Sequence, residues 1–288
     1  MNWIISMIAV LAGIALLILG EIYRESKGFV TRVYHILIPE AALKHTHNIV
    51  FISDLHNHLY GDENQILLDA IREQNPEFVL VGGDVMVARE KAPLDVAIQF
   101  IKNLSREYQV YYSSGNHEQR LGLYPEKYGN MYQEYMQAIQ DGKLVYLIND
   151  SRRVMLEDFP IDITGLEIDK EFYKRFSHKM LQKQDMVRLL GEKKNVYTIL
   201  LAHNPEYFKA YATWGADLTL SGHVHGGVVR LPFLGGVISP SFRIFPKYDG
   251  GRKKEFGKEM IISRGLGVHT IPVRLFNPAE LVVLKIHS

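Results

Sequence analysis

The sequence predicts an α/β fold with mixed sheets, and three observations predict it. From residue 47 onward, short apolar runs of strand length alternate with segments of helical periodicity, the pattern of βαβ crossovers and a partly parallel sheet. The later part of the chain is richer in strands with short connections, which points to a second or mixed sheet. Five of the apolar runs end in polar residues beside glycine or proline, where chemistry sits in open α/β sheets.

The elements follow in order. Residues 31–38 alternate and predict a strand, stopped by Pro39. Residues 48–53 (NIVFIS) form a buried strand by length. The spacing predicts a helix over 64–73, a buried strand over 78–81 and a helix over 94–104 after Pro93. A strand follows at 109–112, a helix at 128–139 and a strand at 144–148. Residues 154–156 and 161–164 form a hairpin. One helix is predicted over 172–190, with Phe172, Phe176, Met180, Val187 and Leu190 on a single stripe. A strand at 196–201 precedes a helix at 205–213 that starts at Pro205. Strands at 218–220, 260–263 and 281–286 complete the chain. There is no internal repeat, and no linker splits residues 47–288, which are taken as one domain after an apolar segment (1–22) and a linker with the first strand (23–46).

Residues 1–20 contain 16 hydrophobic residues and no charge. The apolar run 3–19 spans about 26 Å as a helix, near the lower limit for a bilayer. No Lys or Arg precedes it, and Leu19-Gly20-Glu21 is a poor cleavage site, so an uncleaved membrane anchor is expected rather than a cleaved signal peptide or a core helix. Arg24, Lys27 and Arg32 follow it and place the body on the cytoplasmic side.

Composition excludes several function classes. With 33 basic and 32 acidic residues, the chain has no bulk charge to hold nucleic acid. Without cysteine there is no thiol nucleophile and no Cys-ligated metal site. A bound transition metal must then use His, Asp, Glu or Asn, and twelve histidines are present.

The strand ends supply such ligands. They read Asp54-Leu55-His56, Gly82-Gly83-Asp84, Gly115-Asn116-His117-Glu118, His203-Asn204-Pro205 and Gly222-His223-Val224-His225. Two Asp, one Asn and five His make a mixed oxygen and nitrogen donor set, suited to Mn²⁺, Fe or Zn²⁺ rather than Ca²⁺. Eight such residues exceed the needs of one tetrahedral ion, and two ions about 3.5–4 Å apart would use them. In an extended stretch, His223 and His225 project to opposite sides and reach two metals. Each motif alone has a bland reading as a turn or loop residue; the ordered series is the specific signal.

That series, D-x-H, G-D, G-N-H-[DE], H and G-H-x-H, resembles the calcineurin-like metallophosphoesterase superfamily over residues 47–288. The stretches ISDLHNHLYG, GHVHGGVVRLP and SRGLG further resemble a small bacterial, membrane-associated branch, similar to UDP-2,3-diacylglucosamine pyrophosphatase-type enzymes. The resemblance implies a four-layer α/β/β/α sandwich of two mixed sheets. It implies that Asp54, His56 and His225 hold one divalent ion, that Asn116, His203 and His223 hold a second, and that Asp84 bridges them. His117 would bind no metal and serve as general acid or transition-state stabiliser. Glu118, where the family often has Asp, would orient His117. The implied reaction is hydrolysis of a phosphoester or phosphoanhydride by a hydroxide bridging two divalent ions, most readily Mn²⁺.

Substrate hints are thinner. The 230–258 segment carries Arg243, Lys247, Arg252, Lys253, Lys254 and Lys258 among Phe242, Phe245, Tyr248 and Phe256. It reads as a Gly/Pro-interrupted loop, either a plain solvated loop or a rim for an anionic head group. Arg264 is a candidate phosphate contact. His45, His47, His58, His178 and His269 are expected to be ordinary surface or packing residues. With the apolar start, a membrane-proximal, lipid-linked phosphodiester or pyrophosphate such as UDP-2,3-diacylglucosamine leads. A soluble phosphomonoester, nucleotide or phosphoprotein is the alternative, and a non-catalytic scaffold the remote one.

Overall fold

The computed structural model describes residues 2–140, 142–174, 179–227, 229–231, 235–238, 244–268 and 273–288. Helix α1 (Asn2–Lys27) leads into strand β1 (Phe29–Leu37). Then come β2 (His47–Ile52), α2 (Gln65–Glu73), β3 (Phe78–Val81), α3 (Asp95–Glu107) and β4 (Gln109–Ser113). They are followed by α4 (Asn116–Leu123), α5 (Pro125–Tyr128), α6 (Met131–Ile139) and β5 (Leu144–Leu147). The hairpin β6 (Asp150–Leu156) and β7 (Phe159–Leu166) starts the second half, with α7 (Lys183–Leu190), β8 (Tyr197–Ala202), α8 (Phe208–Trp214) and β9 (Leu218–Ser221). Last come a short pair, β10 (Arg230–Leu231) and β11 (Gly235–Gly236), then β12 (Gly251–Glu255), β13 (Lys258–Ile262) and β14 (Ala279–His287).

Two six-stranded sheets result, ordered β1-β14-β2-β3-β4-β5 and β12-β13-β9-β8-β7-β6. Both are mixed: β14 runs antiparallel to β2, and β12 and β6 pair antiparallel at the edges of an otherwise parallel second sheet. The period-2 alternation of the strands explains the layering. Val50, Ile52, Val79 and Val81 face a core shared with α2, α3 and α6, whereas Ile49, Phe51, Phe78 and Leu80 face Ile161, Ile163, Ile199 and Leu220 of the other sheet. Leu200 and Ala202 face the opposite way, against Met186 of α7 and Tyr211 and Trp214 of α8. The order of layers is therefore α/β/β/α.

Three local expectations need correction. Residues 172–190 are not one helix: a 3-10 turn (Lys170–Tyr173) precedes α7, and Phe176 lies outside the described residues. Met180, expected on the buried stripe, is 59% exposed, while Leu181 is buried. A new helix starts instead because Gln182 N donates to the Asp185 carboxylate, closing a capping box. The basic 230–258 segment is not wholly loop, since GRKKE forms β12 on β13; it is an edge strand, where charge is tolerated and deters further pairing. The polar helix α4 was not foreseen at all.

Helix α1 is long and apolar enough to cross a membrane or to act as a signal sequence, and its apolar window packs against none of the body. A core-helix reading therefore does not hold. Its root is fixed by strand pairing. Phe29 is in register with Ala279 on β14, and β14 meets β2 antiparallel with Val282 opposite Phe51. The helix thus leaves the sandwich at the edge where β2 ends and Asp54 follows.

Candidate metal centre

The strand ends meet at that edge. Asp54 follows β2, Asp84 follows β3, Asn116 and His117 open α4 after β4, His203 follows β8, and His223 and His225 follow β9. All are buried except His223, which is half-buried. With His56, all of them but Asn116 form three interlocking groups with donor atoms within 4.8 Å of one another: Asp54, His56 and His225; His56, Asp84 and His117; Asp84, His203 and His223. His56 and His225 face each other through Nε2 atoms 3.1 Å apart, and His225 Nε2 lies 3.3 Å from Asp54 Oδ1. Asp84 Oδ2 lies 3.1 Å from His203 Nε2, 3.8 Å from His56 Nε2 and 3.9 Å from His117 Nε2.

The backbone is bent to bring these atoms together. Asp54, His56, Asp84, His223 and His225 all have φ between 49° and 69°. Left-handed non-glycine residues cost about 1–3 kcal/mol each and cluster at functional sites. His223 and His225 are therefore not extended as expected; a turn, rather than strand alternation, sends them to different groups. Glycine is required beside them where loops touch. A Cβ on Gly222 would sit 2.1 Å from Asp54 Oδ2, and one on Gly115 would sit 2.2 Å from Asp84 Oδ1.

The donor set fits divalent cations. Asn116 Oδ1, on the residue that opens α4, is buried with no hydrogen-bond partner among the described residues, an acceptor left unfilled. His203 Nδ1 lies 2.7 Å from Gly82 O, and His225 Nδ1 lies 3.2 Å from Gly267 O. A carbonyl accepts only, so in each neutral ring Nδ1 carries the hydrogen and Nε2 presents its lone pair inward. His117 has the opposite polarity. Ala88 N donates to its Nδ1 at 2.7 Å, so the neutral ring carries its hydrogen on Nε2, the nitrogen that faces Asp84.

Electrostatics follow the same lines. Burial works to raise the Asp84 carboxyl, but His203, His117 and His56 outweigh it and hold it well below the usual range. Burial foremost pushes His223 and His225 down to about 3, leaving both neutral. His203 is the exception: burial disfavours its charge, yet Asp84 and then Asp54 push it up to about 10. An arriving cation must displace that proton. Metal affinity should therefore rise with pH across the neutral range, with proton release seen by titration calorimetry in buffers of different ionisation enthalpy. Uptake without proton release would contradict this assignment.

Glu118 acts on the Asp84 loop. Its carboxylate accepts from Asp84 N at 2.9 Å, Val85 N at 2.9 Å, Gly115 N at 3.0 Å and the Tyr112 hydroxyl at 2.7 Å. These bonds fix the turns that carry Asp84 and Asn116. Burial and then the Asp84 charge push its carboxyl up to about 7, against the pull of these donors. Glu118→Ala would leave four buried donors unfilled, at about 1–3 kcal/mol each before water enters. A loss of about 3 kcal/mol or more in urea unfolding is expected; a loss below about 1 kcal/mol would show that the carboxylate does not hold the turns.

Arg264 is in none of the three groups. Its backbone N donates to Glu280 Oε1, its guanidinium lies beside the same carboxylate, and its side chain lines a cavity next to the His225 loop. His47 lies far from this edge, at the start of β2, buried between Glu77 at 2.5 Å and Glu157 at 3.3 Å, with His45 Nδ1 3.1 Å from Glu157. His58 sits on the loop after His56, where burial first and then Arg274 and Lys27 lower its pKa. His178, His269, Phe242 and Arg243 lie outside the described residues.

Several supporting residues were not readable from the sequence. Buried Arg274 donates to Gly267 O at 2.7 Å, Arg264 O at 2.8 Å and Gly265 O at 3.1 Å, fixing the loop whose Gly267 carbonyl meets the His225 ring. Asn277 Nδ2 donates to His225 O and Gly227 O, while Asn277 N donates to Glu25 Oε2 at the root of α1. Tyr173 stands edge-on to His223, with ring centroids 5.4 Å apart.

Fold and site together define a metal-binding α/β enzyme of the two-sheet sandwich type. The calcineurin-like phosphoesterase family model matches residues 47–227, and the chain belongs to that family. Family membership supports phosphoester hydrolysis, and the family uses divalent metals. A metallophosphoesterase of Campylobacter jejuni is 27% identical over 251 residues, covering 85% of this chain and 60% of its own length. Phosphodiesterase YaeI of Escherichia coli is 24% identical over 195 residues, covering 67% of this chain and 65% of its own. Among solved structures, a 5′-nucleotidase precursor from Thermus thermophilus aligns with 16% identity and a TM-score of 0.46, over 75% of this chain and 48% of that one. The chain thus spans 60% of the Campylobacter relative's length.

Proposed function

We propose that the protein is a dinuclear, Mn²⁺-preferring phosphoesterase acting on a membrane-proximal phosphodiester or pyrophosphate, with lipid-linked UDP-2,3-diacylglucosamine as the model substrate. One observation carries the membrane part: the root of α1 and the metal-ligand cluster lie at the same edge of the first sheet. If α1 crosses a bilayer, the cluster faces the lipid surface rather than the bulk. On this reading residues 1–22 are the anchor, 23–46 connect it through β1, and 47–288 are the catalytic domain, on the cytoplasmic side by the charges of Arg24, Lys27 and Arg32. The name of the Escherichia coli relative supports a diester substrate.

Asp54, His56 and His225 would hold one ion, Asn116, His203 and His223 the other, and Asp84 would contribute to both. The chemistry such ions supply when bound is acidification of a water and neutralisation of charge on the phosphoryl group. The chain's own groups do the rest. Gly82 O and Gly267 O keep His203 and His225 in the ligating tautomer. His117 holds a proton on Nε2, next to where the leaving oxygen departs, and donates a hydrogen bond or the proton itself. Glu118 keeps the Asp84 turn from relaxing when ligands change charge.

The test is a panel with the full-length protein and Mn²⁺. Bis(p-nitrophenyl) phosphate and a lipid-linked pyrophosphate should both be hydrolysed, at least about tenfold better in kcat/KM than p-nitrophenyl phosphate, a difference of about 1.4 kcal/mol in barrier. A strong monoester preference without pyrophosphate hydrolysis would sink the reading in favour of a soluble phosphomonoester.

A further inference from the structure

A cavity of about 580 Å³ lies beside the Gly226 loop, lined by Arg230, Lys247, Lys253 and Arg264 with one acid, Asp249. Arg230 Nη1 donates to Gly226 O at 2.8 Å, one residue from His225, so the cavity adjoins the metal-ligand loop. Its charges do not balance. Arg230 and Lys253 share Asp249, at 3.0 and 3.8 Å. Lys247 pairs with Glu255 at 2.6 Å. Arg264 and Arg32 share Glu280, at 3.7 and 3.6 Å. With Arg32, Glu255 and Glu280, which lie outside the lining, five cations share three carboxylates among the described residues, a surplus of two positive charges. Arg264 Nε is buried without a hydrogen-bond partner among the described residues. Burial first, and then Arg230 and Arg32, work against its charge, with Glu280 the main group sustaining it. Crowded, partly dehydrated cations are relieved by an anion, and guanidinium forks match phosphate oxygens two at a time.

We propose that this cavity is a second anion site, separate from the metal centre, that takes a phosphate monoester dianion. Its surplus charge matches such a dianion. Gly250, at φ 152°, lies against both guanidinium side chains: a Cβ there would press on Arg264 Cγ at 3.3 Å and touch Arg264 Nε and Arg230 Nη1 at 3.5 and 3.6 Å. The dianion has two sources, a lipid head group or a soluble phosphate. Phe245 and Phe276, 54% and 50% exposed beside the cations, would meet acyl chains in the first case and solvent in the second.

Titration calorimetry of the full-length, Mn²⁺-loaded protein in detergent separates these. Inorganic phosphate should bind at two equivalents per chain in the wild type and one in Lys247→Glu/Lys253→Glu, while turnover of bis(p-nitrophenyl) phosphate at low phosphate stays within about twofold. Dihexanoyl phosphatidic acid filling the second site at least tenfold more tightly than phosphate, about 1.4 kcal/mol, identifies a lipid head group; equal affinity identifies soluble phosphate. One equivalent in the wild type, or two in the variant, overturns the site. Because the readout is stoichiometry, it stands whichever ester the metal centre hydrolyses.

Discussion

Replacing Asp84 with alanine is expected to strip bound metal from the protein and to lower phosphodiester turnover by about a thousandfold or more. The expectation rests on position and charge. Asp84 belongs to two of the three donor groups, and its Oδ2 is within 3.9 Å of His203, His56 and His117. It stays anionic at neutral pH because those rings outweigh its burial. Without it, four buried imidazoles keep one carboxylate, Asp54, and two cations would be left too close together with no shared counter-charge. Removing one partner of a buried charge network costs more than the pair contributed, because the rest remains dehydrated. Asp84→Asn preserves the shape but not the charge, so it should also lose metal. Elemental analysis of the purified variants decides, with circular dichroism to show that the sheets persist. Full metal content in Asp84→Ala would rule out a carboxylate shared by two ions.

His117→Ala should behave in the opposite way, keeping both ions while losing about a hundredfold to a thousandfold in kcat. The ring stands close enough to His56 and Asp84 to be grouped with them as a possible ligand. Its tautomer argues otherwise. Ala88 N–H already occupies the Nδ1 lone pair, and Nε2, the nitrogen facing Asp84, carries the hydrogen. A ring that presents N–H inward donates to substrate and does not ligate. The loss should be smaller for a p-nitrophenyl ester, whose leaving group departs without a proton, than for an alkyl ester that needs one. Loss of half the metal in His117→Ala would make it a ligand instead. An equal loss on both esters would assign it hydrogen bonding without proton transfer.

How much of this was legible depends on what each residue answers to. Strands such as Phe78–Val81 are readable because burial on both faces forces an unbroken apolar run. Asp54, Asp84 and His203 are readable as candidates because a polar residue at the end of such a run has few bland reasons to be there. Helix α4 and strand β12 were missed for the converse reason. NHEQRLGL and GRKKE carry little apolar signal, and their state is set by a neighbour, the strand end before α4 and β13 beside β12. The 172–190 segment misled because a helical spacing of apolar residues arose across a capping box that starts a new helix. Glu25 and Asn277 lie 252 residues apart in sequence, and nothing in either neighbourhood announces their hydrogen bond. The left-handed conformations of Asp54, His56, Asp84, His223 and His225 were equally silent, since L-residues adopt them only where surrounding structure compels it.

The central claim is that one constellation at the strand ends holds two ions around a shared carboxylate. Anomalous diffraction at the manganese edge from crystals of the Mn²⁺-loaded protein tests it most directly. Two peaks about 3.5–4 Å apart are expected, one against Asp54, His56 and His225, the other against Asn116, His203 and His223, with Asp84 between them. A single peak, or two peaks that Asp84 does not join, would contradict it.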